Sequence, residues 1–262
     1  MFDKPVDLKN ARILITNDDG IHAPGLQVLI KIAKSLCDDV WVVAPEIEQS
    51  GASHSLSLTT PLRYRKIDEK VFAVEGTPTD CVLFSINYLM KDTPPTLVLS
   101  GVNAGSNLGE DVTYSGTIAA AMEATLLGVP SIALSQHLNG MRDKIHWETA
   151  QEWAPDIIQR LVNLKWPENV LMNVNFPGVP SREVKGIKVV RHGKRKYGDN
   201  LTERLDPRGR PYFWIGALRL EGDTSQDTDV GQVFGGAISI TPISLNMTEM
   251  KMLEKLKPIF EN

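Results

Sequence analysis

A short apolar strand that runs into two adjacent carboxylates is the feature that most limits what this chain can fold into. Residues 13–20 read ILITNDDG, so a segment typical of a buried strand leads directly into Asp18, Asp19 and Gly20. Successive side chains on a strand point to opposite faces, so both aspartates can meet one ligand only where the strand becomes a turn, which Gly20 permits. Two like charges there are costly unless a divalent cation neutralises them. The alternative is that one aspartate caps the next helix while the other is solvated.

The first part of the chain alternates predicted strands with predicted helices. Strands are predicted at residues 12–16, 40–44, 96–99, 131–134 and 170–174, and helices at 24–36, 77–89, 115–127 and 147–164. Parallel strands joined by helices of this length form a sheet that helices cover on both faces. The sequence therefore predicts an α/β fold, a Rossmann-like three-layer α/β/α sandwich with a mainly parallel sheet. A small hairpin is predicted from residues 63–67 and 71–74.

The pattern changes after about Pro177. Predicted strands at 184–192 and 212–218 flank a charged stretch rich in turn residues, and a last strand and helix are predicted at 237–243 and 248–256. We therefore expect a core at 1–180 and a C-terminal β-arm or small subdomain for oligomerisation at 181–235. Residues 236–262 are expected to return to the core or to a neighbouring subunit.

Composition excludes several classes of function. The formal charge of −4 over 262 residues gives no reason to expect binding to a nucleic-acid duplex or a membrane surface. No stretch of eighteen apolar residues occurs, and the first ten residues do not resemble a signal peptide. Cys37 and Cys81 are isolated, which favours buried free thiols over a disulfide or a zinc site. We therefore expect a cytoplasmic protein.

Polar segments follow three of the predicted strands. The first contains Asp18 and Asp19, the second contains Ser50, and the third contains Asn103 and Asn107. Ligands of open α/β sheets bind at the carboxyl ends of parallel strands, so we expect these segments to converge. Carboxylate, hydroxyl and amide oxygens select Mg²⁺, Mn²⁺ or Ca²⁺ over zinc.

The sequence YSGT at residues 114–117 begins a predicted helix next to the third polar segment. Free N–H groups at a helix start favour an anion, and phosphate is the obvious candidate. The alternative is that Ser115 or Thr117 serves only as the helix cap. The glycines of the preceding loop match neither G-x-G-x-x-G nor a P-loop, and the aspartate pair lacks the D-x-D spacing of aspartyl-phosphate enzymes. A metal-activated water is therefore the preferred nucleophile.

Five segments in order resemble the SurE (survival protein E) family of 5′/3′-nucleotidases. They are ILITNDDGIHAPG, VVAPEIEQSGASHS, EGTPTDC, LVLSGVNAGSNLGEDVTYSGTIAAAMEA and GVPSIALS, with a looser match at GGAISITP. The resemblance implies a phosphomonoesterase with one Mg²⁺ or Mn²⁺ per subunit, held by Asp18, Asp19, Ser50 and Asn103. It also implies catalytic roles for the two aspartates, and a phosphate pocket formed by Asn107, Ser115, Gly116 and Thr117.

The resemblance further implies hydrolysis of nucleoside 5′-monophosphates, with 3′-monophosphates as an open extension, and a homodimer or homotetramer built through the C-terminal arm. Two alternatives stay open: a metal-dependent nucleotide-sugar transferase, and a non-catalytic nucleotide sensor. The choice of ion, base and phosphate position is not determined by the sequence.

Other polar residues are weaker candidates for a functional role. His22 could donate a proton to the leaving group or pack in its turn, and His54 could touch the substrate. The basic run at residues 191–196, which includes Arg195 and Lys196, predicts a solvated or subunit-contacting surface, or a site of attraction for a longer phosphorylated substrate.

Overall fold

The computed structural model describes residues 5–139, 145–165, 167–195, 200–216 and 223–261. The strands are β1 Arg12–Thr16, β2 Asp39–Pro45, β3 Arg63–Asp68, β4 Val71–Glu75, β5 Leu97–Ala104, β6 Ser131–Gln136, β7 Val170–Phe176, β8 Ile187–Val189, β9 Asn200–Leu205, β10 Pro211–Gly216 and β11 Ile238–Ser244. The α-helices are α1 Pro24–Leu36, α2 Pro78–Phe84, α3 Gly116–Leu126, α4 Trp147–Val162, α5 Asp229–Phe234 and α6 Met250–Phe260. A π-helical turn at Ser85–Leu89 extends α2.

The central sheet has nine strands in the order β3-β4-β2-β1-β5-β6-β7-β11-β8. The six strands from β4 to β7 in that order are mutually parallel, while β3 and β11 each pair antiparallel with their inner neighbour. The α/β prediction and the small hairpin of β3 and β4 are both confirmed. Because β2 and β5 lie on either side of β1, the strand order reverses at β1, and such a switch point is where open sheets bind ligands.

Alternation along β1 explains the three layers. Ile13 and Ile15 belong to the apolar cluster that includes α1 and α4, whereas Leu14 belongs to the cluster that includes α2 and α3. All three side chains are fully buried, as expected for a strand covered on both faces. Helix α2 begins with a capping box, in which the Thr77 hydroxyl accepts from the Asp80 N–H and the Asp80 carboxylate accepts from the Thr77 N–H.

Strand β5 differs from its prediction. It continues past Leu99 to Ala104, with a register shift against β6 between Ser100 and Asn103, so Asn103 lies on a strand and not in a loop. Gly101 makes this irregularity sterically accessible, because its φ is +134° and an added Cβ would lie 2.2 Å from the carbonyl oxygen of Leu134. The glycine- and asparagine-rich sequence concealed a bulged strand.

The boundaries predicted for the C-terminal regions need correction. Strand β8 and helix α5 both fall within 181–235, yet β8 pairs with β11 in the central sheet and α5 contacts β11 and β7. The predicted strand at 184–192 shortens to Ile187–Val189. Within the described residues, the separate arm is the antiparallel pair of strands β9 and β10. Residues 217 and 218, which end the strand predicted at 212–218, lie outside the described residues.

The C-terminal segment divides into two unlike parts. Strand β11 returns to the core as predicted, pairing with β7 and β8. Helix α6 has no buried residue, although it carries Met252, Leu256 and Ile259. None of the described helices is both long and apolar enough to cross a lipid bilayer.

Candidate metal and phosphate site

A cavity of about 820 Å³ opens at the carboxyl ends of β1 and β5, at the switch point of the sheet. All four residues predicted as metal ligands line this one cavity: Asp18, Asp19, Ser50 and Asn103. Asn107 and Ser115, two of the predicted phosphate residues, line it as well. Residues from four separate stretches of chain therefore meet at one place.

The Asp18 carboxyl group is almost wholly buried, with 4% of the residue exposed. Its burial, and secondly the neighbouring charge of Asp19, raise the pKa of Asp18 from 3.8 to about 6. The Thr117 hydroxyl donates a hydrogen bond to Asp18 Oδ1, which partly opposes that rise. In the absence of a cation, the ionised form of this carboxylate therefore lowers the stability of the folded protein.

Each of the other three predicted ligands forms a hydrogen bond that positions it. Asp19 Oδ2 accepts from the Ala104 N–H at 3.1 Å, which ties the turn after β1 to the end of β5. The Asn103 amide nitrogen donates to the Gly105 carbonyl at 2.9 Å, so the amide oxygen is the atom left to act as a ligand. The Ser50 hydroxyl donates to Glu48 Oε1 at 2.7 Å within an exposed loop.

The start of α3 lies against Asp18. Ser115 is the N-cap residue, and its Oγ accepts from the Ile118 N–H at 3.1 Å. Thr117 is fully buried and, like Gly116, does not line the cavity. Its hydroxyl donates to Asp18 Oδ1, and the role of these two residues in a phosphate pocket stays a prediction. The sequence could not separate contact with Asp18 from contact with a phosphate, because both require a hydroxyl in the first turn of the helix.

Gly116 allows the helix to approach this closely. A Cβ added at Gly116 would lie 2.7 Å from the Asp18 Cβ and 3.0 Å from Pro78 Cγ. We expect Gly116→Ala to displace Asp18 and to weaken Mn²⁺ binding at least about tenfold, as loss of a positioning contact does at metal sites. Titration calorimetry checks this expectation, with Leu126→Ala at the exposed end of the same helix as the control. Unchanged Mn²⁺ affinity in Gly116→Ala would contradict it.

Two asparagines that the sequence analysis missed fix the position of Asn107. Its backbone N–H donates to Asn175 Oδ1 at 2.8 Å, and its carbonyl accepts from the amide groups of Asn173 and Asn175 at 2.9 and 3.1 Å. Its own side chain donates to Ser135 Oγ at 2.8 Å. The available signal was the alternation Asn-Val-Asn in β7, which places both amides on one face of a buried strand.

The remaining polar candidates occupy other positions. His22 is exposed and does not line the cavity, whereas His54 pairs with Glu123 on α3 at 2.9 Å. The basic run is not a solvated surface at Arg195, which is 5% exposed and forms an ion pair with Asp111 at 3.3 Å. Lys196 lies outside the described residues.

The chemistry of the donors limits what the site could hold. Within the described parts of the chain, no three His, Cys, Asp or Glu side chains cluster as a metal site, so two carboxylates would have to be complemented by neutral oxygens. Ser50 and Asn103 supply such oxygens at the same cavity. Both cysteines are buried and free. An all-oxygen set of this kind fits Mg²⁺ or Mn²⁺ and not a thiolate-bound metal.

The fold and the cavity define an α/β protein with an oxygen-lined cavity at the switch point of its sheet. Comparison with known families gives a more specific result: the family model of survival protein SurE matches residues 13–199. The chain belongs to the SurE family.

Relatives of known name extend this match to nearly the whole chain. A protein named 5′-nucleotidase SurE from Paramagnetospirillum magneticum is 55% identical, over 97% of this chain and 98% of its own. One of the same name from Rhodospirillum rubrum is 52% identical, over 99% and 100%. The crystal structure of the SurE protein from Aquifex aeolicus superposes with a TM-score of 0.82 at 41% identity, covering 95% of this chain and 99% of that one.

Proposed function

We propose that this chain is a 5′-nucleotidase, a divalent-metal-dependent phosphomonoesterase that hydrolyses nucleoside monophosphates to nucleoside and phosphate. The observation that carries the proposal is the meeting of Asp18, Asp19, Ser50 and Asn103 in the cavity that Asn107 and Ser115 also line. The names of the relatives support the choice of nucleotides over other phosphate esters.

The proposed cation would be held by Asp18, Asp19, Ser50 and Asn103. The raised pKa of Asp18 supports this assignment, because a buried carboxylate next to a second one is stabilised by a nearby positive charge. When bound, the cation would supply Lewis-acid polarisation of the phosphoryl group and would favour deprotonation of the attacking water.

The protein groups have separate tasks in the proposed reaction. Asn107, held by the two asparagines of β7, and Ser115 at the start of α3 would donate hydrogen bonds to phosphoryl oxygens. Either aspartate could accept the proton of the attacking water. Leu138, Ile145 and Ile215 give the cavity an apolar side on which the nucleoside would lie.

Release of phosphate from a panel of nucleotides tests the proposal directly. Purified protein is incubated with 5′- and 3′-monophosphates, each with Mg²⁺, Mn²⁺ or excess chelator, and free phosphate is measured. We expect turnover of 5′-monophosphates with metal, a loss of at least about a hundredfold with chelator, and recovery when metal is restored. The 3′-monophosphates decide whether the activity is broader.

The same assay separates the two alternatives. A nucleotide-sugar transferase would release little phosphate from AMP or GMP without an acceptor. A nucleotide sensor would bind nucleotide in a metal-dependent way with no turnover. Either result would overturn the proposal.

We also propose that the chain forms a homodimer or homotetramer through its C-terminal arm. The arm presents exposed apolar side chains on β9 and β10, among them Leu201, Phe213, Trp214 and Ile215, and a two-stranded ribbon of this kind is marginal in water on its own. Light scattering coupled to size exclusion measures the assembly, and a monomer at micromolar concentration would contradict it.

The buried free thiols fit the proposed cytoplasmic location.

A further inference from the structure

The charge of the cavity wall presents a difficulty for an anionic substrate. Four carboxyl side chains line the cavity: Asp18, Asp19, Glu48 and Asp111. Among the described residues that line it, there is no lysine, arginine or histidine. A phosphate monoester carries close to two negative charges at pH 7. Even with a divalent cation bound, the wall would still repel the phosphate.

Arg195 lies directly behind this wall. Its Nη1 donates to the Ser106 hydroxyl at 3.1 Å, and its Nε lies 3.3 Å from Asp111 Oδ2. Ser106 and Asp111 both line the cavity, and Ser106 immediately precedes Asn107 in the chain. The Arg195 side chain is 4% exposed, so solvent screens its charge little.

The surrounding structure holds Arg195 in this place. Its backbone N–H donates to the Glu110 carboxylate, and its guanidinium carbon lies 5.6 Å from the centre of the Phe234 ring. Gly109 permits the backbone of Arg195 to lie this close, because a Cβ added at Gly109 would lie 3.1 Å from the backbone nitrogen of Arg195. Burying a guanidinium group is expensive unless it is paired, and Asp111 supplies the pairing charge.

We propose that Arg195 is a positioning residue of the phosphate site. It neutralises Asp111 in the cavity wall, so that a phosphate dianion can approach Asn107 and Ser115 without meeting the uncompensated charge of that carboxylate. This inference rests on the proposed nucleotidase function. It assigns a role in substrate binding to one residue of the basic run, for which the sequence had offered a solvated or subunit-contacting surface or a site of attraction for a longer phosphorylated substrate.

The test compares a charged probe with an uncharged one. Binding of inorganic phosphate and of adenosine is measured by calorimetry on Mn²⁺-loaded wild type, Arg195→Met, Arg195→Lys and the double variant Asp111→Asn/Arg195→Met. We expect Arg195→Met to weaken phosphate binding at least about tenfold, the range for breaking a buried charge pair, with adenosine and Mn²⁺ affinity changed less than about threefold. Arg195→Lys and the double variant should bind phosphate within about threefold of wild type, because neither leaves Asp111 unbalanced.

Several results would overturn the inference. One is an equal loss of phosphate and adenosine binding in Arg195→Met, which would indicate a general structural defect; another is undiminished phosphate binding. If Arg195→Met fails to fold, the double variant carries the test, and loss of phosphate binding in it would refute neutralisation of Asp111. Failure of the proposed function is distinct, because wild type would then release no phosphate from any nucleotide.

Discussion

Replacing Asp19 by asparagine is expected to reduce phosphate release from nucleoside monophosphates to under about 1% of the wild-type rate, because metal catalysis contributes several kcal/mol. The amide has nearly the same volume as the carboxylate and can still accept from the Ala104 N–H, so the turn after β1 should remain in place. What is lost is one of the two anionic oxygen ligands of the proposed cation. The rate is measured with saturating Mg²⁺ or Mn²⁺, and the fold by circular dichroism.

Glu48→Gln is the matched control for Asp19→Asn. Glu48 lines the same cavity and accepts from Ser50 Oγ, and glutamine retains an acceptor while removing one negative charge. We expect this variant to keep at least about a third of the wild-type rate, since surface substitutions of this kind change free energies little. Near-normal turnover by Asp19→Asn would refute its assignment as a ligand.

Replacing Asp18 by asparagine is expected to stabilise the metal-free protein while abolishing its stabilisation by Mn²⁺. In the metal-free fold the pKa of Asp18 is about 6, against an ordinary 3.8, so its ionised form opposes folding at neutral pH. The pKa shift corresponds to about 3 kcal/mol of unfolding free energy at pH 7.5. We expect Asp18→Asn to raise the unfolding free energy by only about 2 kcal/mol, because the buried amide brings an extra N–H that needs a partner.

The pH dependence of this effect has a definite sign. Because the pKa of Asp18 is raised by folding, the folded protein binds a proton more readily than the unfolded chain between about pH 4 and pH 6. The contribution of Asp18 to unfolding free energy therefore becomes more favourable as the pH falls through 6, and the advantage of Asp18→Asn should shrink by pH 4. Urea unfolding with chelator, at pH 7.5 and pH 4.5, measures both values.

Two outcomes of those unfolding experiments would contradict the account of Asp18. One is an advantage of Asp18→Asn that is equal at both pH values, which would point to a packing effect instead of ionisation. The other is an undiminished stabilisation of Asp18→Asn by Mn²⁺, which would exclude this carboxylate as a ligand. Thr117→Val serves as a comparison, because it removes the hydroxyl that donates to Asp18 while leaving the carboxylate.

Local signals in the sequence were strong enough to predict most of the fold. Apolar runs bounded by turns predicted β1 and α1 to the residue, and the cap residues at Thr77 predicted the start of α2. The prediction failed at the carboxyl end of β5, because Gly101 and Asn103 are typical of loops. A bulged strand of such residues is stabilised by its neighbours in the sheet, which the local sequence does not show. The predicted C-terminal boundaries failed for a related reason, since the pairing of β8 with β11 is non-local.

Residue types and short spacings were enough to establish the chemistry available to this protein: a parallel sheet covered on both faces, and acidic, hydroxyl and amide side chains where three of its strands end. Those properties follow from residue type and local spacing, both of which are visible in the amino-acid sequence. The contacts that each group makes depend on long-range packing. It turned Thr117 towards Asp18, set Asn173 and Asn175 around Asn107, and buried Arg195 behind Ser106 and Asp111. These are contacts between residues far apart in the chain, and they form because packing brings polar groups together where each must find a partner.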